Sequence, residues 1–251
     1  MLPDANILQP LIDVANAVLK FFHNNVGLSW GMSIVAITVC TRAILVPLTY
    51  KQIKGMRAMQ ALQPQIKEIQ EKYKNDKQRM QQEMMRFYKE NKVNPFASCI
   101  PLLAQLPVFI TLFYTLRHEL PPDMGCEAGH CAAYGAEFLF VKDLTASAHG
   151  AELIALLVLY VGTQLASGFF MSVTADKSQR TMMFILPLIF VPFVIKFPAG
   201  LIVYWITTNL WTIGQGITVN KIIPAPHVAT PEEKRAAKPP PKSPKKKRKR
   251  R

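Results

Sequence analysis

The sequence predicts an all-α membrane protein with five transmembrane helices, and three observations lead there. Half of the 251 residues are hydrophobic and the mean hydropathy is +0.14, yet the formal charge is +14. A soluble domain does not combine these values, whereas a multispanning membrane protein with basic connections does. Long uncharged runs alternate with polar stretches, at lengths suited to spanning helices. Lys and Arg concentrate in residues 51–95, 172–181 and the tail from 220, with few in the alternate segments. The positive-inside rule then puts the N-terminus outside and both the 51–96 segment and the C-terminus in the cytosol, which requires an odd number of spans.

Residues 1–23 read as an extracytoplasmic amphipathic helix lying in the membrane interface. Leu8, Leu11, Ile12, Ala15, Val18, Leu19 and Phe22 share a face, with Asp13, Asn16 and Lys20 opposite. A signal peptide is the competing reading. The Lys/Arg-rich start is missing and the following apolar run is too long, so this segment is expected to be retained. The first span is 24–50. Asn24 to Thr41 carry no charge, nor do Ala43 to Tyr50, and Arg42 sits between them. A charge at the bilayer centre costs from about 3 to more than 10 kcal/mol, and Arg cannot escape by losing its proton. Arg42 is therefore expected to face water or a polar partner inside the membrane, with Thr38 one turn earlier on the same face. The bland alternative is an Arg snorkelling to the headgroups. Tyr50 and Lys51 lie about 12 Å farther along, and a snorkelling side chain covers only part of that gap.

Residues 51–96 form a different kind of segment, and from Lys51 to Pro95 there are eleven Lys/Arg against five Asp/Glu. Ile66, Ile69 and Tyr73 fall on one helical face, and Met80, Met84, Phe87 and Tyr88 on another after a polar turn at Asn75-Asp76. This predicts a cytosolic helical hairpin, with Pro64 starting a turn or kinking it. The Met-rich face suits adaptable binding, and a coiled-coil spacer with solvated charges would look similar. The second span, 97–116, carries Pro101, Pro107 and Gln105. Its bends are tolerable where neighbours or water satisfy the freed carbonyls. An extracytoplasmic loop, 117–151, follows with an acidic balance. Its Cys126 and Cys131 would pair if the loop faces the oxidising side. Beside them His130 makes only a weak case for metal.

The third span is 152–173, where Tyr160, Gln164 and Ser167 give a polar edge suited to lining a cavity or to interhelical hydrogen bonding. A short cytosolic loop, 174–180, leads to the fourth span, 181–196. Its fifteen apolar residues from Thr181 to Ile195 cover about 22 Å, short for a bilayer of about 30 Å, unless Lys196 snorkels or the bilayer thins. A turn at 197–200 reverses the chain into the fifth span, 201–219, which presents Trp205, Thr208, Thr212 and Gln215 along one side and Asn209 nearby. The tail, 220–251, is rich in Pro and Lys and ends in seven consecutive basic residues. It is expected to be disordered, with anionic lipid or structured RNA such as a ribosome surface as its targets.

No Ser/His/Asp set, glycine-rich phosphate loop or His-Glu helix motif is visible, so neither an enzyme nor a cofactor is expected. Polar side chains scattered over five spans imply a hydrated cavity, and a positive charge within it attracts acidic or polar segments.

The residues resemble the YidC family of membrane protein insertases. The resemblance rests on Thr38, Arg42 and Pro47-Leu48, then Leu62-Gln63-Pro64 leading to Lys72-Tyr73. It continues through Asn94-Pro95 and Leu102, Gln105 and Pro107-Val108-Phe109. Pro198-Ala199-Gly200-Leu201, Tyr204-Trp205, Asn209 and Gln215 complete it, over roughly residues 20 to 220. The chain looks like the short bacterial form with five spans, lacking the large extracytoplasmic domain and the lipoprotein cysteine of some relatives. The resemblance implies a bacterial inner-membrane protein whose five helices enclose a hydrophilic groove, open to cytosol and lipid and closed outside. It implies that Arg42 hydrates the groove and receives the polar, often acidic, outer segment of a client, with Thr38, Gln164 and Trp205 lining it. Gln105 and Asn209 complete the candidate substrate-binding set. The implied partners are nascent membrane proteins, with or without a Sec-type translocon, and a lipid-open groove requires no second subunit. Two other readings fit the residues: a small anion or solute transporter or channel built on Arg42, and a non-catalytic assembly scaffold built on the hairpin and tail.

Overall fold

The computed structural model describes residues 9–91, 93, 100–128, 130–172 and 177–222. The basic tail, Asn94-Pro95, Cys99 and the 173–176 connection lie outside the described residues. The described chain is helical, and its β pairing is confined to isolated bridges at Phe138–Val141 and Ser147–Pro198.

Helix α1 (Gln9–Lys20) passes through a π-helical turn, Phe21–Asn25, into Gly27, whose φ of 78° few side chains adopt. Ser29 then caps α2 (Trp30–Ile44), its hydroxyl accepting from the Met32 N–H at 3.3 Å. Ring stacking of His23 on Trp30 (3.9 Å between centroids) fixes this entry. The break after α2 has a covalent cause: Pro47 has no N–H to offer the Ala43 carbonyl. The chain bends by 55° there and restarts as α3 (Val46–Lys72), which runs on past Lys51 and through Pro64. Helix α4 (Lys77–Glu90) packs back on α3, and the Asp76 carboxylate caps it by accepting the Arg79 N–H at 3.0 Å.

Helix α5 (Ile100–Tyr114) continues through a π-helical turn, Thr115–Glu119, into the short α6 (Leu120–Met124). Helices α7 (Gly150–Ser172), α8 (Lys177–Val194) and α9 (Ala199–Ile222) follow. Helix α9 is central: α2, α5 and α7 all pack on it, while α8 packs on α7 and α1 spans α2 and α5. Leu116, Leu144, Leu156, Leu201, Ile202 and Tyr204 form the centre of the core. By length and composition, α7 alone is a membrane-spanning candidate among the described residues. The bent pair α2–α3 passes jointly, and in α8 the apolar part is the shorter Phe184–Val194. Helix α9 has the length but carries Thr207, Thr208, Asn209, Thr212 and Gln215, a polar content expected of the helix that neighbours surround.

The loop between α6 and α7 is built onto the ends of three helices. Cys126 and Cys131 are joined in a disulfide. The Phe138 ring lies against Gly31 of α2, where any side chain would collide with it. At the start of α9, orphan N–H groups of the first turn find loop carbonyls: Ala199 donates to Ala146 O at 2.7 Å and Gly200 to Leu144 O at 2.9 Å. A Cβ on Gly200 would stand 2.9 Å from that same carbonyl and 3.1 Å from Leu116. The Pro198-Ala199-Gly200-Leu201 run is thus a docking edge for the loop. On the other side, Asp123 accepts from Asn16 at 3.1 Å and pairs with Lys20 at 2.7 Å, holding α1 to α6.

Candidate functional site

Arg42 lies in the last turn of α2, two residues before the break. The 24–50 run reads as one straight helix with the guanidinium well inside it; the break before Pro47 ends the helix earlier and leaves Arg42 in its C-terminal turn. That end of the helix carries partial negative charge, which favours a cation by about 0.3–1 kcal/mol. Arg42 is half-buried and makes no ion pair among the described residues. Its electrostatic neighbour is the Tyr204 hydroxyl of α9.

The hydroxyls around it fall into two groups. Thr38, 2 % exposed, donates to Ile34 O at 2.6 Å, and Thr41 donates to Ile37 O at 2.7 Å. These groups satisfy themselves on their own helix, as hydroxyls do where water is scarce. Tyr204 and Thr208 are also buried and lie beside one another one turn apart, their hydroxyls within each other's electrostatic reach but without a partner of good hydrogen-bond geometry among the described residues. Spaced i, i+4, they share one face of α9 with the Trp211 indole N–H, which also lacks a partner among the described residues. Leaving such groups dry costs about 1–3 kcal/mol each, so this face calls for water or a polar ligand.

The remaining candidates divide by helix. Trp205 is half-buried in an aromatic cluster, stacked on Phe109 (5.3 Å) and set against Phe197 (5.8 Å) and Tyr160 (5.6 Å), joining α9 to α5 and α7. Asn209, 4 % exposed, donates to Thr163 Oγ1 of α7 at 3.2 Å. Gln105 on α5 and Gln164 on α7 are half-buried. The structure thus brings Arg42 together with Tyr204, which neighbours Thr208, keeps Thr38 one turn before Arg42 on α2, and commits Trp205 and Asn209 largely to helix contacts. Thr208 was marked in the sequence as part of the polar side of the fifth span, whereas Tyr204 entered only through the family resemblance and was not given a place in the candidate set. Cys126, Cys131 and His130 of the 117–151 loop form no metal-ligand cluster among the described residues.

Comparison with known proteins shows the family of the chain. The family described as 60Kd inner membrane protein matches residues 21–226. A protein of Streptomyces avermitilis named membrane protein insertase YidC is 37% identical over 241 residues, covering 82% of this chain and 55% of that one. One of Histophilus somni with the same name is 37% identical over 211 residues, covering 83% and 36%. A solved structure titled "Active YidC insertase crystal structure with the first transmembrane domain resolved" superposes with a TM-score of 0.64 at 27% identity. It covers 85% of this chain and 47% of that one. The chain therefore spans about half, or less, of the length of these relatives. On the match over most of its length, the chain belongs to the 60Kd inner membrane protein family, the family of the YidC membrane protein insertases.

Proposed function

We propose that this chain is a membrane protein insertase and chaperone: it receives newly made membrane proteins in a hydrated groove and releases their apolar segments into the bilayer. The observation that carries the reading is a half-buried Arg42 guanidinium with no ion pair among the described residues, set beside the buried Tyr204 hydroxyl of α9. That combination is costly in lipid unless water enters, and a positive, wet pocket beside an apolar exterior lowers the cost of bringing a polar segment partway across. The client's apolar helix then partitions into lipid at about 25 cal/mol per Å2 of buried apolar surface, and no nucleotide is required.

In this reading α2 with the first turns of α3, then α5, α7, α8 and α9, are the five spans. Their outward apolar side chains, among them Ile44, Val158, Phe169, Ile189, Phe193 and Leu210, are broadly exposed, a surface that belongs in lipid. The 117–151 loop and α1 lie outside, and the α3–α4 hairpin and basic tail lie in the cytosol. The tail meets anionic lipid or ribosomal RNA, and a Sec-type translocon is a partner for longer clients. The test is reconstitution: purified protein in liposomes, presented with a short two-span client bearing an acidic outer segment, protects that segment from external protease. Protection no greater than in protein-free liposomes would reject the function, and client-independent anion flux would favour the channel reading.

A further inference from the structure

The groove reading above needs its outer end closed, and the loop between α6 and α7 packs on the first turns of α2 and α9. Asp143 is 8 % exposed and lies in the loop rather than on any spanning helix. Its carboxylate accepts three hydrogen bonds: from the Cys131 N–H at 2.8 Å, the Thr145 N–H at 2.8 Å and the Thr145 hydroxyl at 2.6 Å. Leu144 and Ala146, the residues interleaved with this knot, are those whose carbonyls accept the first N–H groups of α9. The segment 143–146 therefore faces two ways. Through Asp143 it is tied to the backbone of a disulfide-bonded cysteine, and through its carbonyls to the helix that carries Tyr204 and Thr208.

We infer that Asp143 is a positioning residue for the groove, the group that seats the loop as an outer seal over α2 and α9; the inference rests on the insertase reading. Ionised, it is an acceptor only and matches three donors in one place. Asn keeps the shape but turns one acceptor into an NH2 facing an N–H or O–H, so a buried donor loses its partner. The role assigned to Asp143 requires no contact with the client. Its effect is on water: with the loop unseated, the ends of α2 and α9 open toward the outside. The Cys126–Cys131 bridge supports the same seal by holding the backbone that donates to Asp143.

The experiment uses the full chain in sealed vesicles of known orientation, with Cys40→Ser and Cys99→Ser removing other thiols and Thr208→Cys as reporter. A membrane-impermeant, charged thiol reagent is added from either side. With Asp143 intact, the reporter labels from the cytosolic side and resists labelling from outside. Asp143→Asn is expected to raise the outside labelling rate at least fivefold while cytosolic labelling changes less than twofold. Thr145→Val, which removes one donor and keeps the shape, is expected to do the same to a smaller degree and serves if the Asn variant fails to accumulate. An unchanged outside rate in a variant that accumulates overturns the inference, whatever its thermal stability. A reporter that does not label from the cytosolic side with Asp143 intact would instead sink the groove itself, and the seal with it.

Discussion

Replacing Arg42 tests what the buried charge does. Because no carboxylate pairs with it among the described residues, its field is available to a client. A client carboxylate about 4 Å away gains roughly 1 kcal/mol at the dielectric of water and about 4 kcal/mol at an effective value near 20. Arg42 is half-buried, so about 2 kcal/mol is a reasonable centre, roughly thirtyfold per carboxylate. The assay is insertion into liposomes of paired clients whose outer segments differ only by Asp against Asn. Arg42→Ala is expected to lower insertion of the Asp client by about that factor relative to the Asn client. Arg42→Lys, which keeps the charge but loses the planar fork, falls between. Raising salt should weaken the preference only modestly, because partly buried pairs are poorly screened. An equal loss for both clients would refute the reasoning and leave Arg42 with a structural role.

Other expectations follow from the contacts. Gly200→Ala places a methyl group against Leu144 O and Leu116; overpacking of this kind costs about 1–3 kcal/mol, read as a lower unfolding temperature in detergent. A double-mutant cycle between Asn209 and Thr163, which are hydrogen-bonded at 3.2 Å, should return a coupling of about 0.6 kcal/mol, the average for such pairs in membranes. Zero coupling would free Asn209 for a direct client role. Asp76→Ala removes the cap of α4 and should cost that helix about 1 kcal/mol, seen as faster hydrogen exchange at its first turn, with α7 unaffected.

The candidate residues of the site are conspicuous in the sequence. An Arg inside an uncharged run is conspicuous because its cost in lipid is so large, and Thr38 follows from helical spacing alone. Less visible was where α2 ends: hydropathy continues smoothly to Tyr50, whereas the break depends on a single missing N–H at Pro47. The same holds at its start, where the uncharged run begins at Asn24 but the Ser29 cap and Gly27 put the helix at Trp30. Pro64, by contrast, leaves α3 unbroken. The seating of the 117–151 loop was not legible at all. Its hydrogen bonds join residues far apart in the chain, and no periodicity records that the carbonyls of Leu144 and Ala146 meet the first turn of α9. Trp205 and Asn209 were marked by polarity in the fifth span, and polarity cannot say whether a side chain faces a client or a neighbouring helix.

The most direct test of the insertase account is photocrosslinking from Gln105, Gln164 and Trp205, half-buried positions on three different helices, to a stalled, ribosome-bound nascent membrane protein. The account predicts adducts from all three that disappear with a soluble nascent chain. Adducts confined to the α3–α4 hairpin, with none from these positions, would contradict it and make this chain an assembly scaffold.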